Sequence, residues 1–115
     1  ILKQVGRILT ENARQLDIVA RFGGEEFGII LPDVTRETAH VVAERMRSTV
    51  ATHEFVTGAA FQPTCEVTIS IGGAIYPLDA QSLVELLDRA DRVALYEAKR
   101  QGKNRVVFWR DTEAE

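Results

Sequence analysis

The sequence predicts an α+β domain, an antiparallel-rich sheet flanked by helices. Three observations carry that expectation. Apolar residues recur at helical spacing in three separate stretches, a Gly23-Gly24 pair is bracketed by β-branched runs, and residues 66–76 alternate in polarity. Helical stripes mixed with period-two strands suit a sheet with packed helices, because each element has one face to bury.

Ile1, Leu2, Val5, Ile8 and Leu9 mark an amphipathic helix across the first thirteen residues. The stripe is at full strength from residue 1, so the expectation is that the N-terminal part of the domain precedes this chain. Residues 17–22 and 25–31 read as two strands around Gly23-Gly24, since glycine supplies the positive φ of a tight turn, and Pro32 ends the second strand. Thr35 can cap a helix with Ala39, Val42, Ala43, Met46 and Val50 on one face. Residues 51–64, with Gly58 and Pro63, read as irregular.

From 66 to 76 the side chains of Val67, Ile69, Ile71 and Ile75 point one way, as in a strand. Gly72 and Gly73 interrupt it and suggest a bend or a close approach of another backbone, and Pro77 terminates it. Ser82 and Glu85 form a capping box opening a helix with Leu83, Leu86, Leu87, Ala90, Val93 and Ala94 on its buried side. Gly102 is placed to end that helix, and residues 104–109 make a final strand. Residues 111–115 read as a polar tail, leaving a domain over residues 1–110.

At 115 residues, 45% hydrophobic and 27% charged, the chain has the length and composition of one water-soluble globular domain. No apolar run approaches the ~18 residues that span a bilayer, and no secretory leader pattern is present. The single cysteine, Cys65, has no partner for a disulfide or a zinc site. His40 and His53 lack metal-ligand spacing and read as surface residues. A formal charge of −3 argues against a general nucleic-acid polymer binder, but not against a small phosphorylated ligand. Positive charge is concentrated locally in Arg89, Arg92, Lys99, Arg100, Lys103, Arg105 and Arg110, against Asp91 and Glu97 alone. A solvated helix face is the ordinary explanation of such a cluster.

The segment from Arg21 to Phe27 carries the chemistry. Gly23 and Gly24 leave backbone N–H groups open to a phosphate oxygen, and Glu25 and Glu26 are hard oxygen ligands of the type Mg²⁺ selects. A plain hairpin turn followed by a solubilising acidic pair is the competing interpretation.

The string Gly23-Gly24-Glu25-Glu26-Phe27 resembles the signature of the GGDEF family, the diguanylate cyclases, in its GGEEF form. Five specified residues recur by chance roughly once in three million positions. Thr68 to Gly72 resembles the family's strand motif, and Ala90-Asp91 through Lys99, then Gly102-Lys103-Asn104, resembles its C-terminal helix and turn. The likeness runs from Ile1 to about Trp109.

The resemblance implies a nucleotide-cyclase, palm-like fold. It implies condensation of two GTP into cyclic di-GMP with release of pyrophosphate, between two domains in a homodimer, with Mg²⁺ or Mn²⁺. It makes Glu25 and Glu26 the metal-ligand and catalytic carboxylates and sets Gly23 and Gly24 against the phosphates. Lys99 and Lys103 become the cations for the β- and γ-phosphates, Lys103 standing where the family usually has arginine. Arg14 and Asp17 form an RxxD, a pattern expected about 0.6 times by chance in this composition. Its position before the glycines matches the family's product-inhibition site, to which Arg45 adds a further arginine. The family's first, central strand, with a metal aspartate and the guanine-reading residues, has no counterpart here. The isolated chain is therefore expected to be inactive, and marginally stable or completed by an outside strand. The parent is expected to be cytoplasmic, with an upstream sensor domain. A non-catalytic module sensing GTP or cyclic di-GMP is the alternative.

Overall fold

The computed structural model describes residues 1–112, which form two compact units, Ile1–Val67 and a second from Thr68 onward. The first unit contains α1 (Leu2–Glu11), β1 (Ile18–Phe22), β2 (Glu26–Ile30), α2 (Arg36–Thr52), β3 (Phe55–Val56) and β4 (Thr64–Cys65). The second contains β5 (Ile71–Gly73), α3 (Leu83–Asp88), a π-helical segment (Arg89–Leu95), α4 (Tyr96–Arg100), β6 (Val106–Phe108) and α5 (Trp109–Thr112). The α+β expectation holds.

In the first unit the apolar stripes do what their spacing predicts. Val5, Ile8 and Leu9 of α1 are buried, as are Ala39, Val42, Ala43, Met46 and Val50 of α2, with Phe55 beside them. Thr35 caps α2 by accepting a hydrogen bond from the Thr38 amide at 3.1 Å. β1 and β2 pair antiparallel, Phe22 opposite Glu26 and Ile18 opposite Ile30. Glu25 therefore belongs to a three-residue loop and not to the second strand, because Phe22–Glu26 is the last pair of the ladder. Within residues 51–64, expected to be irregular, Phe55 pairs with Cys65 and Val56 with Thr64 in a short hairpin. His40 and His53 are exposed, as expected.

In the second unit β5 and β6 pair in parallel, with α3, the π segment and α4 between them in the chain. A parallel pair needs such a crossover. Ser82 caps α3 by accepting from the Glu85 amide at 3.2 Å, while the Glu85 carboxylate accepts from the Gln81 amide at 3.0 Å. The capping box thus closes one residue further back than expected. Ala94, Ala98 and Val107 form a buried cluster with Trp109 against it.

Four further expectations need correction. The strand over 66–76 is laddered only at Ile71–Gly73; Val67 and Ile69 stay half-buried and Glu66 and Thr68 exposed, so alternation reports facing, not pairing. The described strands pair two by two in three small sheets instead of one. Leu83 and Leu87 are exposed, because the π segment inserts a wider turn between them and Ala94 and so rotates one half of the stripe against the other. The final strand stops at Phe108, and Asp111 and Thr112 close a helical turn; the rest of the expected tail lies outside the described residues.

Candidate phosphate- and metal-binding site

The loop Gly23-Gly24-Glu25 is an open piece of backbone. Nothing lies within 4 Å of a methyl placed on Gly23 or Gly24, and Gly24 takes φ +55°, a conformation that glycine adopts without cost. Phe27 anchors the base of the hairpin, its ring 3.3 Å from the position of a methyl on Gly6 of α1. Glu25 and Glu26 are both exposed, and neither forms an ion pair or side-chain hydrogen bond among the described residues. No group of three or more histidine, cysteine, aspartate or glutamate side chains gathers there or elsewhere among the described residues. Two adjacent carboxylates nonetheless fit Mg²⁺, which is bound by one or two carboxylates when substrate phosphates and water complete its octahedron.

Arg21, in β1, is a further residue that holds the loop. Its Nε and Nη2 donate to the Gly24 carbonyl at 2.8 and 2.5 Å. The only signal was an arginine two residues before a glycine pair, which by itself is uninformative.

The basic cluster of the second unit separates into committed and uncommitted charges. Arg89 pairs with Glu85 at 3.1 Å, donates to the Asp79 carbonyl and lies 4.3 Å above the Trp109 ring. Arg110 pairs with the buried Asp79 at 3.1 Å, Arg92 with Asp88 at 3.4 Å, and Arg100 with Glu97. Hydrogen bonds from Arg100 and Gln101 hold the Glu97 carboxyl well below the usual carboxylate range, at about 2, so its charge is engaged. Arg105 donates to the Lys103 carbonyl at 3.1 Å. Lys99 and Lys103 remain, with no side-chain partner among the described residues.

Local backbone chemistry sets where these two lysines stand. Gly102 takes φ +123°, its amide donating to Lys99 at 3.3 Å, and the Lys103 amide donates to Ala98 at 3.0 Å. That is a Schellman C-cap, with Lys99 in the last helical turn and Lys103 just past it. Lys103 itself has φ +65°, an uncommon conformation for a residue with a side chain. Both cations sit at a helix C-terminus, where the helix dipole favours positive charge. The carboxylates lie in the first unit and the lysines in the second.

The RxxD residues are engaged with each other. Arg14 Nε and Nη2 donate to Asp17 Oδ1 at 3.0 and 2.8 Å, the Arg14 amide donates to Asp17 Oδ2 at 2.7 Å, and the Asp17 amide donates back to the Arg14 carbonyl at 3.0 Å. The guanidinium holds the Asp17 carboxyl below its ordinary pKa, the Asp17 side chain is shielded from solvent, and Arg14 also donates to the Pro32 carbonyl at 2.6 Å. Arg45 donates to the side chain and carbonyl of Asn12 at the end of α1, at 3.2 and 2.7 Å.

Comparison with known proteins bears on the family. The family described as "Diguanylate cyclase, GGDEF domain" matches residues 1–105. Diguanylate cyclase A of Treponema denticola is 39% identical over 108 residues, which cover 94% of this chain and 28% of that protein. The GGDEF domain of DgcB from Caulobacter crescentus, solved in complex with c-di-GMP, superposes with a TM-score of 0.80 at 30% identity, covering 93% of this chain and 64% of that one. The active GGEEF domain of a diguanylate cyclase from Vibrio cholerae superposes with a TM-score of 0.79 at 29% identity, covering 94% and 65%. The chain thus spans about a quarter of the length of the curated relative and somewhat under two thirds of these solved chains. With the signature string on an open hairpin loop and the family pattern matched over residues 1–105, the chain belongs to the GGDEF domain family.

Proposed function

We propose that the protein carrying this chain condenses two GTP into cyclic di-GMP and releases pyrophosphate. The observation that supports this most directly is that the motif's carboxylates and, within the C-terminal basic cluster, its two lysines are uncommitted. Glu25, Glu26, Lys99 and Lys103 have no side-chain partners among the described residues, while the other five basic residues of the C-terminal cluster are engaged within the protein. A solvated, decorative helix face offers no reason for that division. Charges kept for a ligand do.

In this reading Lys99 and Lys103 bind the terminal phosphates of GTP as point charges, and the glycine loop lets the triphosphate approach the main chain. Glu25 and Glu26 would hold Mg²⁺ or Mn²⁺, which supplies charge neutralisation at the triphosphate when bound. Glu25 also stands as acceptor for the proton of the attacking 3′-hydroxyl, whose target is the α-phosphorus of the GTP held by a second domain. A homodimer follows from the symmetry of the product. In the full-length protein, Glu25→Ala is expected to abolish synthesis while leaving the thermal midpoint unchanged, since the residue is exposed and touches nothing structural. Near-normal turnover in that variant would overturn the assignment.

Feedback inhibition is proposed at Arg14, Asp17 and Arg45. The support is a pre-formed arginine–carboxylate turn beside α1, and a relative of the same family solved with c-di-GMP. Arg14→Ala is expected to relieve product inhibition and spare GTP turnover. Initial rates titrated with cyclic di-GMP decide it, an unchanged inhibition constant being the contrary result.

A further inference from the structure

We propose that Arg21 is a positioning residue for the glycine loop, turning the Glu25 amide N–H toward the substrate phosphates and fixing the Cα from which the Glu25 carboxylate projects. The Gly23–Glu25 loop is poorly held by packing. Nothing would pack against a methyl on either glycine, and the loop's own closing bond, from the Glu26 amide to the Gly23 carbonyl, is long at 3.4 Å. Two glycines in an open loop lose more conformational freedom on ordering than any other pair. Something must hold them.

Arg21 supplies that hold from a rigid element. It sits in β1 opposite Phe27, whose ring rests against α1, so the base of its side chain is fixed by the ladder. From there two guanidinium N–H groups converge on one acceptor, the Gly24 carbonyl, at 2.8 and 2.5 Å. A peptide unit is planar, and in the trans form its C=O and N–H point in opposite directions. The Gly24–Glu25 peptide is trans. Holding the Gly24 oxygen toward Arg21 therefore turns the Glu25 N–H away from it, and fixes the Cα from which the Glu25 carboxylate projects.

The planar fork matters more than the charge in this arrangement. A lysine keeps the cation but offers a flexible point donor that cannot grip one carbonyl with two fixed N–H groups. A side chain acting only as a counter-charge to phosphate would tolerate that exchange. The inference rests on the cyclase reading for the identity of the phosphate ligand, but the clamp itself does not.

The test compares Arg21→Lys and Arg21→Gln in the full-length protein. Both are expected to lower kcat for cyclic di-GMP synthesis by roughly 10–100-fold, the scale of a misaligned reacting group, with a smaller change in KM and an unchanged thermal midpoint. Hydrogen exchange at the Glu26 amide, which closes the loop, is expected to quicken in both. Wild-type kcat in Arg21→Lys would overturn the proposal, because charge alone would then suffice. Unaltered Glu26 exchange in both variants would overturn it as well. If the unsubstituted protein makes no cyclic di-GMP, the cyclase reading fails, and the exchange measurement still decides for or against the clamp.

Discussion

Helix α2 and the helical run from Leu83 to Arg100 carry equally regular apolar stripes in sequence, yet only one of them buries its stripe as written. In α2, all five stripe residues from Ala39 to Val50 are buried, and the helix runs unbroken from its Thr35 cap. In the second run the stripe divides: Leu83 is 64% exposed while Ala94 is fully buried. The difference lies in the π-helical segment Arg89–Leu95. One inserted residue rotates the flanking halves by about 100°, so a stripe continuous on paper faces two directions in space.

What holds the π segment is a backbone contact. A methyl on Gly72 would lie 2.2 Å from the Ala90 carbonyl oxygen and 2.3 Å from the Leu95 nitrogen, the pair five residues apart that a π turn brings together. α2 shows no such intrusion, and its stability rests on side-chain packing. The comparison teaches that the two helices fail in different ways. A cavity disturbs α2, whereas a single methyl on a neighbouring strand disturbs the π segment.

Three substitutions test that contrast. The largest effect is expected for Gly72→Ala, because the atoms in the way are main chain and cannot swing aside. It should destabilise the domain by about 3 kcal/mol or more in denaturant unfolding, and a near-neutral result would mean that β5 does not lie on the π turn. Met46→Ala in α2 comes next. Met46 is among the largest fully buried side chains, and its loss should cost about 2–3 kcal/mol by the same measurement. The smallest effect is expected for Leu83→Ser. At a continuous apolar stripe this would be a core lesion, but here it should stay within about 0.5 kcal/mol. A loss of several kcal/mol would show that the sequence stripe, and not the rotated one, describes the buried face.

The same contrast explains how much of the site was legible. The residues of the glycine loop and both lysines were named from the sequence, because a rare string at a turn identifies residue types independently of packing. Their state of engagement was legible only in part. Arg89–Glu85, Arg92–Asp88 and Arg100–Glu97 stand at helical spacing, whereas Arg110 with Asp79 and Arg89 over Trp109 depend on distant residues meeting. Arg21 stayed hidden for the same reason, since a two-donor clamp on a carbonyl is a matter of where two side-chain nitrogens and one loop oxygen meet.

By itself the sequence determined the family, the α+β class, the caps at Thr35 and Ser82, the buried face of α2, and the glycine loop with its two carboxylates. These depend on local chemistry: cap hydrogen bonds, a 3.6-residue period, and the φ freedom of glycine reach only a few residues along the chain. Tertiary structure decided which alternating segment found a strand to pair with, where the π turn rotated the second helix, and how Arg110 met Asp79. The β5–β6 ladder, the approach of Gly72 to the π turn and the Arg110–Asp79 pair join residues far apart in sequence, and no local pattern records the distance between them.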